Sequence, residues 1–163
     1  MEGQGFNYFE NSRYTDNRIQ RKTLIVDLVI GTGTDISVTL EEPISINKES
    51  EIYLDSFTTY GAIKNDDATN ANMGFLLDIT EFNIQTISTN QNQNGKIIIP
   101  NEDTGGGTKV VVHKGKKLNY ICSINPTTIS SISGSITQLV GTGAMFAGNG
   151  RFIAEFSIVS KKD

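Results

Sequence analysis

Short runs in which apolar and polar residues alternate with a period of two dominate this sequence after residue 22. The clearest run is "RFIAEFSIV", Arg151–Val159, whose even-numbered positions are all apolar: Phe152, Ala154, Phe156 and Ile158. Because successive side chains of a β-strand point to opposite faces, this pattern predicts a strand with one buried face.

Similar runs recur along the chain, separated by turn residues, and give about nine or ten strand candidates. They are "TLIVDLVI", "DISVTL", "EIYLDSFTTY", "MGFLLDITEFNIQTI", "KIIIP", "TKVVVH", "LNYICSI" and "GSITQLV". No long window carries a helical period, so the pattern predicts an all-β, antiparallel β-sandwich. A single jelly roll is favoured, because eight or more strands joined by several long loops suit its two Greek keys.

Two local signals lie in the middle of the chain. In "MGFLLDITEFNIQTI" the apolar positions change parity after Ile79, which an extra residue near Thr80 and Glu81 would explain as a β-bulge. Two partly buried faces would explain the same pattern. Further on, Asn94–Gly95 favours a tight hairpin turn.

The first 22 residues have a different character, being polar and mixed in charge. They carry four aromatic residues, Phe6, Tyr8, Phe9 and Tyr14, without a sustained period of either kind. A flexible chain terminus is the ordinary interpretation of such a segment. Large aromatic side chains also serve as anchors on a partner, so we predict an extended N-terminal arm over residues 1–22 and the jelly-roll domain over residues 23–163.

Charge limits the partners of the chain. Its 163 residues suit one domain, and the net charge of −4 argues against binding to nucleic acid. One local basic patch stands out: Lys109, Lys114, Lys116 and Lys117. Such lysines keep strand ends soluble, or they contact an acidic neighbouring subunit or nucleic acid. The sequence has no apolar run of membrane-spanning length, so no membrane insertion is predicted.

Candidates for catalysis are few. The single cysteine, Cys122, lies in an alternating apolar run that predicts a buried thiol. His113 is nine positions earlier, which allows a cross-strand Cys–His pair, but no carboxylate beside His113 would orient the imidazole. The triplet Gly105–Gly107 precedes a valine run, not a helix, and so lacks the setting of a phosphate-binding loop. We therefore predict a protein that is not an enzyme, with no catalytic residues, no cofactor and no metal.

Several segments together resemble a known family. They are "PISINKESEIYLDSF", "FLLDITEFNI", "IIIPNE", "HKGKKLNYICSINP", "ISSISGSITQL" and "RFIAEFSIV". Between Pro43 and Val159 the chain resembles the small single-jelly-roll capsid proteins of large icosahedral double-stranded DNA viruses and virophages. The resemblance does not include the N-terminal arm.

The resemblance implies a structural protein of the virion, assembled inside the host cell. It implies a penton subunit that forms a homopentamer at the vertex, beside major and minor capsid proteins, or else a minor capsid protein. A different class remains open, a ligand-binding or carbohydrate-binding β-sandwich such as a receptor-binding head. Its aromatic platforms would be Tyr53, Tyr60 and Tyr120, since the chain contains no tryptophan.

Overall fold

The computed structural model of the protein describes residues 20–62, 74–100, 110–114, 119–143 and 146–160, and at residues 61, 62, 110–114, 147 and 148 it describes the backbone alone. Within these residues the chain forms nine β-strands and one short 3₁₀ turn, Gln91–Gln93. The strands are β1 Arg21–Val29, β2 Asp35–Ile46, β3 Ser50–Ala62, β4 Gly74–Ile79, β5 Ile97–Pro100, β6 Val110–Lys114, β7 Tyr120–Ile124, β8 Thr127–Gln138 and β9 Phe146–Ser160.

The strands form two antiparallel sheets that share one core, which confirms the predicted all-β sandwich. The front sheet has the order β1-β9-β3, and both β6 and β7 pair with the outer edge of β3. The back sheet has the order β2-β8-β4-β5.

The pairing is nested along the chain. β1 pairs with β9, β2 with β8, β3 with β6 and β7, and β4 with β5. Two additional pairings, β3 with β9 and β4 with β8, join the nested pairs into sheets. The earlier strands therefore lie against the later strands in reverse order, like one long hairpin folded over on itself.

A closed ring of four phenylalanines fills the centre of the core. Phe57 of β3 contacts Phe75 of β4 and Phe152 of β9, with ring centroids 5.5 and 5.8 Å apart. Phe146 completes the ring, at 5.9 Å from Phe75 and 6.4 Å from Phe152. All four side chains are fully buried. Phe75 is the member from the back sheet, so its contacts tie the two sheets together.

The parity change after Ile79 is a turn, and the predicted β-bulge is wrong. β4 ends at Ile79, and the backbone N–H of Phe82 donates to the Ile79 carbonyl at 3.0 Å. The Glu81 carboxylate accepts hydrogen bonds from the backbone N–H and the hydroxyl of Ser133, at 2.9 and 2.7 Å. The turn directs Phe82 into the core, where its ring meets Phe156 edge-on at 5.1 Å.

Asn94–Gly95 also forms a turn, but the turn lies inside the long loop between β4 and β5 and does not join the two strands directly. Asn94 has φ −63° and ψ 133°, and Gly95 has φ 68°. These angles are those of a type II turn, whose third position favours glycine because φ is positive there. The N–H of Gly95 then donates to Thr86 at 2.9 Å, which closes the long β4–β5 loop on itself.

β1 begins at Arg21, two residues before the predicted start of the sandwich. Arg21 and Lys22 lie in register with Val159 and Ile158 of β9. The backbone N–H of Ser160 also donates to Gln20 at 2.9 Å. The sequence pattern does not reveal this part of the strand. Arg21 and Lys22 are both polar, and the apolar alternation that marks a strand begins only at Leu24.

Candidate functional site

Most of the predicted contact residues lie outside the part of the chain that the structure describes. This holds for the proposed arm residues Phe6, Tyr8, Phe9 and Tyr14, and for Lys109, Lys116 and Lys117 of the basic patch. The backbone of Lys114 lies at the end of β6, opposite Ser56 of β3. The docking role of the arm and the contact role of the basic patch therefore remain predictions.

The fold keeps Cys122 and His113 apart. Cys122 of β7 lies opposite Ile52 of β3, whereas His113 of β6 lies opposite Phe57. Positions 52 and 57 are about 16 Å apart along an extended strand. The two strands lie end to end on β3 instead of pairing with each other, so no Cys–His pair forms.

Cys122 itself is buried, as predicted, with 3% of its surface exposed. Burial raises the pKa of its thiol to about 11, and a hydrogen bond from the Asn83 backbone N–H opposes part of that rise. Only the thiolate is a strong nucleophile, so Cys122 stays protonated and inert near neutral pH.

We expect iodoacetamide to alkylate native Cys122 at least about 100-fold more slowly than the unfolded chain at a pH near 8, because an ordinary thiol has a pKa of about 8.5. Mass spectrometry of timed samples, with and without guanidinium chloride, measures the two rates. The Cys122→Ala variant provides the unlabelled baseline. Equal rates in the two conditions would contradict the burial of this thiol.

The outer surface of the front sheet, here called the front face, carries exposed apolar and aromatic side chains. Ile25 and Val29 of β1 are 56% and 63% exposed, and Tyr60 of β3 and Tyr120 of β7 are 62% and 51% exposed. Alternation points Ile25 and Tyr60 outward, because their neighbours Leu24 and Thr59 are buried. Tyr120 lies opposite the outward-facing Tyr53, and an irregularity in the β3–β7 pairing separates it from the buried Cys122.

Two charged clusters on the front face are neutralised within it. Arg151 of β9 forms a two-pronged ion pair with Asp27 of β1. The hydrogen bond and the charge of Arg151 together hold the pKa of Asp27 below its ordinary value. Arg21 donates to Ser157 at 2.9 Å and to Asp55 at 3.0 Å, and the Ser157 hydroxyl donates to Asp55. Each of these charges is paired within the chain. Burying the front face in an interface therefore costs less desolvation free energy than burying unpaired charges would.

Tyr53 and Tyr120 form a fixed aromatic pair at one end of the front face. Their ring centroids are 5.9 Å apart and the rings meet at 72°, edge to face. The Tyr53 hydroxyl donates to Glu51 at 2.5 Å. The hydroxyls of Tyr120 and Ser123 share a hydrogen bond at 3.0 Å. The predicted third platform, Tyr60, lies on the same face but opposite Arg151, at the other end of the sheet.

Beside this pair is a groove of about 330 Å³. The residues Asn83, Gln85 and Thr86 of the β4–β5 loop form one wall, and β7 from Tyr120 to Ser123 forms the other. We call it the β7 groove. Sequence reasoning missed it, because it exists only where the loop returns to β7. The parity change at Ile79 is the signal available in the sequence, but it fits a bulge or two partly buried faces as well as a returning loop.

The acidic residues of the described chain do not gather into a metal site. Across residues 20–62, 74–100, 110–114, 119–143 and 146–160, no group of three or more His, Cys, Asp or Glu side chains could hold a metal ion. In the same residues no helix has the length and apolar character needed to cross a membrane.

No protein-family model matches this chain, and a comparison with curated proteins finds no match.

Proposed function

We propose that this chain is a structural subunit of the capsid of an icosahedral double-stranded DNA virus, and most specifically the penton subunit. In this role five copies form the vertex capsomer of the virion, in contact with major and minor capsid proteins. A position as a minor capsid protein uses the same surfaces in a different ring. The observation that carries the proposal is the front face, with its exposed apolar side chains and its two ion pairs, Arg21–Asp55 and Arg151–Asp27.

The topology of the two sheets supports this role. We propose that the sandwich is a single jelly roll, a fold found in viral capsid proteins. The nested pairing supports this, because rolling up one long hairpin places β1 beside β9 and β2 beside β8, in different sheets. Fold alone does not specify function, since lectin domains and cupins share the jelly roll. Support for a capsid role therefore has to come from the front face.

The outer surface of the front sheet also supports this role. Isolated exposed apolar residues are ordinary, but Ile25 and Val29 lie on one strand, and Tyr60 lies opposite Arg151, the residue that faces Val29. The Asp27–Arg151 ion pair lies beside them. Exposed apolar side chains next to polar groups that are already satisfied are compatible with a subunit interface. In a five-membered ring each subunit presents two different surfaces, and the front face supplies one of them.

Mass in solution tests the proposal. We expect the native assembly to have five times the chain mass of 17.8 kDa, measured by light scattering after size exclusion. The double variant Ile25→Glu with Val29→Glu should be a folded monomer, because it places unpaired charges in the interface. As a control, Ile87→Glu changes a residue of the β4–β5 loop that is 94% exposed, and should leave the mass unchanged. Folded wild-type protein that stays monomeric at high concentration argues against the pentamer.

Two truncations separate the arm from the sandwich. Removing residues 1–19 should leave the melting temperature unchanged and weaken assembly, because the arm is proposed to dock on neighbouring capsomers. Removing residues 1–22 should also lower the melting temperature, since Arg21 hydrogen-bonds Ser157 and Asp55. Calorimetry and light scattering measure the two effects. If the shorter truncation assembles as well as the full chain, the docking role of the arm is wrong.

A further inference from the structure

The β7 groove has the composition of a binding site for a small neutral ligand. Asn83, Gln85, Thr86 and Ser123 supply amide and hydroxyl groups, and Tyr120 supplies an aromatic ring. Every one of these groups except the ring face can both donate and accept hydrogen bonds. The lining residues carry no formal charge, and the thiol of Cys122 beneath them is protonated at neutral pH.

We propose that the β7 groove binds a neutral saccharide unit, with the apolar face of the sugar ring on Tyr120 and the sugar hydroxyls on the loop amides. The proposal is independent of the capsid role, because the groove lies within one subunit.

Size supports this ligand class. A volume of about 330 Å³ lies at the lower end of the range of small-molecule pockets. It suits one or two sugar rings. An anionic ligand such as a phosphate would find no cationic side chain among the lining residues and would lose its hydration without compensation.

Preorganisation supports it as well. Tyr120 is half exposed, yet its ring is held by the edge contact with Tyr53, and its hydroxyl is held by Ser123. Tyr53 is itself anchored to Glu51. A ring fixed before binding costs little conformational entropy when a ligand stacks on it. The opposite wall is fixed at Phe82, which is buried against Phe156, and at Asn83, whose N–H bonds the Cys122 thiol.

The groove is open and offers an aromatic ring on one side only, which suits a saccharide better than a nucleobase. A base is usually enclosed between two faces, whereas the groove offers one ring, that of Tyr120, and hydroxyl and amide groups along the other wall. A sugar presents several hydroxyls in different directions, and these match the spread of donors and acceptors along Asn83, Gln85 and Thr86.

The test is an NMR titration of the full-length, ¹⁵N-labelled protein. The probes are four neutral disaccharides (lactose, maltose, chitobiose and mannobiose), the nucleoside adenosine, a sulfated disaccharide, and a synthetic peptide of residues 1–19. We expect at least one neutral disaccharide to shift the side-chain amides of Asn83 and Gln85, saturating below about 20 mM. The sulfated disaccharide and adenosine should not.

Matched variants locate the site. Tyr120→Ala and Gln85→Ala should each weaken binding by at least about tenfold. Ile87→Ala, which changes an exposed residue of the same loop that does not line the groove, should not. Replacing Tyr120 removes its contact with Tyr53 and could disturb the local structure. Gln85 is exposed, so its replacement should leave the fold intact and tests the groove independently.

The proposal is overturned if no neutral disaccharide shifts these amides, or if adenosine or the peptide is the only probe that does. A preference for the peptide would assign the groove to pairing between a chain segment and the edge of β7. None of these results changes the solution mass, so failure here is distinguishable from failure of the capsid proposal.

Discussion

The Gly134→Ala substitution should lower the free energy of unfolding by about 3 kcal/mol. This is a large part of the total stability of a typical domain, about 5–15 kcal/mol. Gly134 lies in β8 at the middle of the back sheet, between Ile36 of β2 and Ile79 of β4. An alanine Cβ there would lie 2.0 Å from the carbonyl oxygen of Asp78. Its φ of 150° belongs to a region that is essentially restricted to glycine. Neither the clash nor the strain can relax without separating β8 from β4.

Urea denaturation of the wild type and the variant measures this cost. Gly33→Ala is the matched control, because its new Cβ would meet only the Ile30 carbonyl at 3.4 Å and its φ is not positive. We expect the control to stay within about 0.5 kcal/mol of the wild type. Equal stability of the two variants would mean that β8 and β4 do not approach each other as closely as the register requires.

The Phe75→Ala substitution should destabilise the protein by about 4 kcal/mol. Phe75 is fully buried and contacts Phe57 and Phe146, so its removal opens a cavity between the two sheets. Both partners belong to the front sheet, so the cavity lies at the junction and closes only if the two sheets move together. Thermal unfolding followed by circular dichroism should show a large drop in the melting temperature.

Two comparisons isolate the effect of the cavity. Phe75→Leu keeps most of the apolar volume and should cost about 1.5 kcal/mol. Ile87→Ala removes an exposed apolar side chain and should cost less than about 0.5 kcal/mol. A Phe75→Ala variant as stable as Phe75→Leu would show that the ring of four phenylalanines contributes little to the junction of the sheets.

Alternation made the strands predictable because side-chain parity is a local property. Phe152, Phe156 and Ile158 mark the inward face of β9, and all three are buried. The end of β4 was not predictable in the same way, because the parity change at Ile79 fits a bulge as well as a turn. The decisive contacts come from Ser133, which is far along the chain and binds Glu81.

The candidate surfaces were harder to predict than the strands. The sequence offers Tyr53, Tyr60 and Tyr120 as candidate platforms for a carbohydrate-binding sandwich. Only the pairing of β7 with β3 shows that Tyr120 lies against Tyr53. The neutralisation of Arg21 and Arg151 also depends on strand register, since each reaches a carboxylate on another strand. Composition counts these charges but does not show which of them are paired.

The position of β9 between β1 and β3 has a consequence for synthesis. β9 is the last of the described strands to leave the ribosome, yet it pairs with both of these neighbours along most of its length. Until Ser160 emerges, the nascent chain has no central strand for its front sheet, and the edges of β1 and β3 stay open to other chains. The protein should therefore complete its fold only after translation has passed β9, and it should depend on chaperones during that interval.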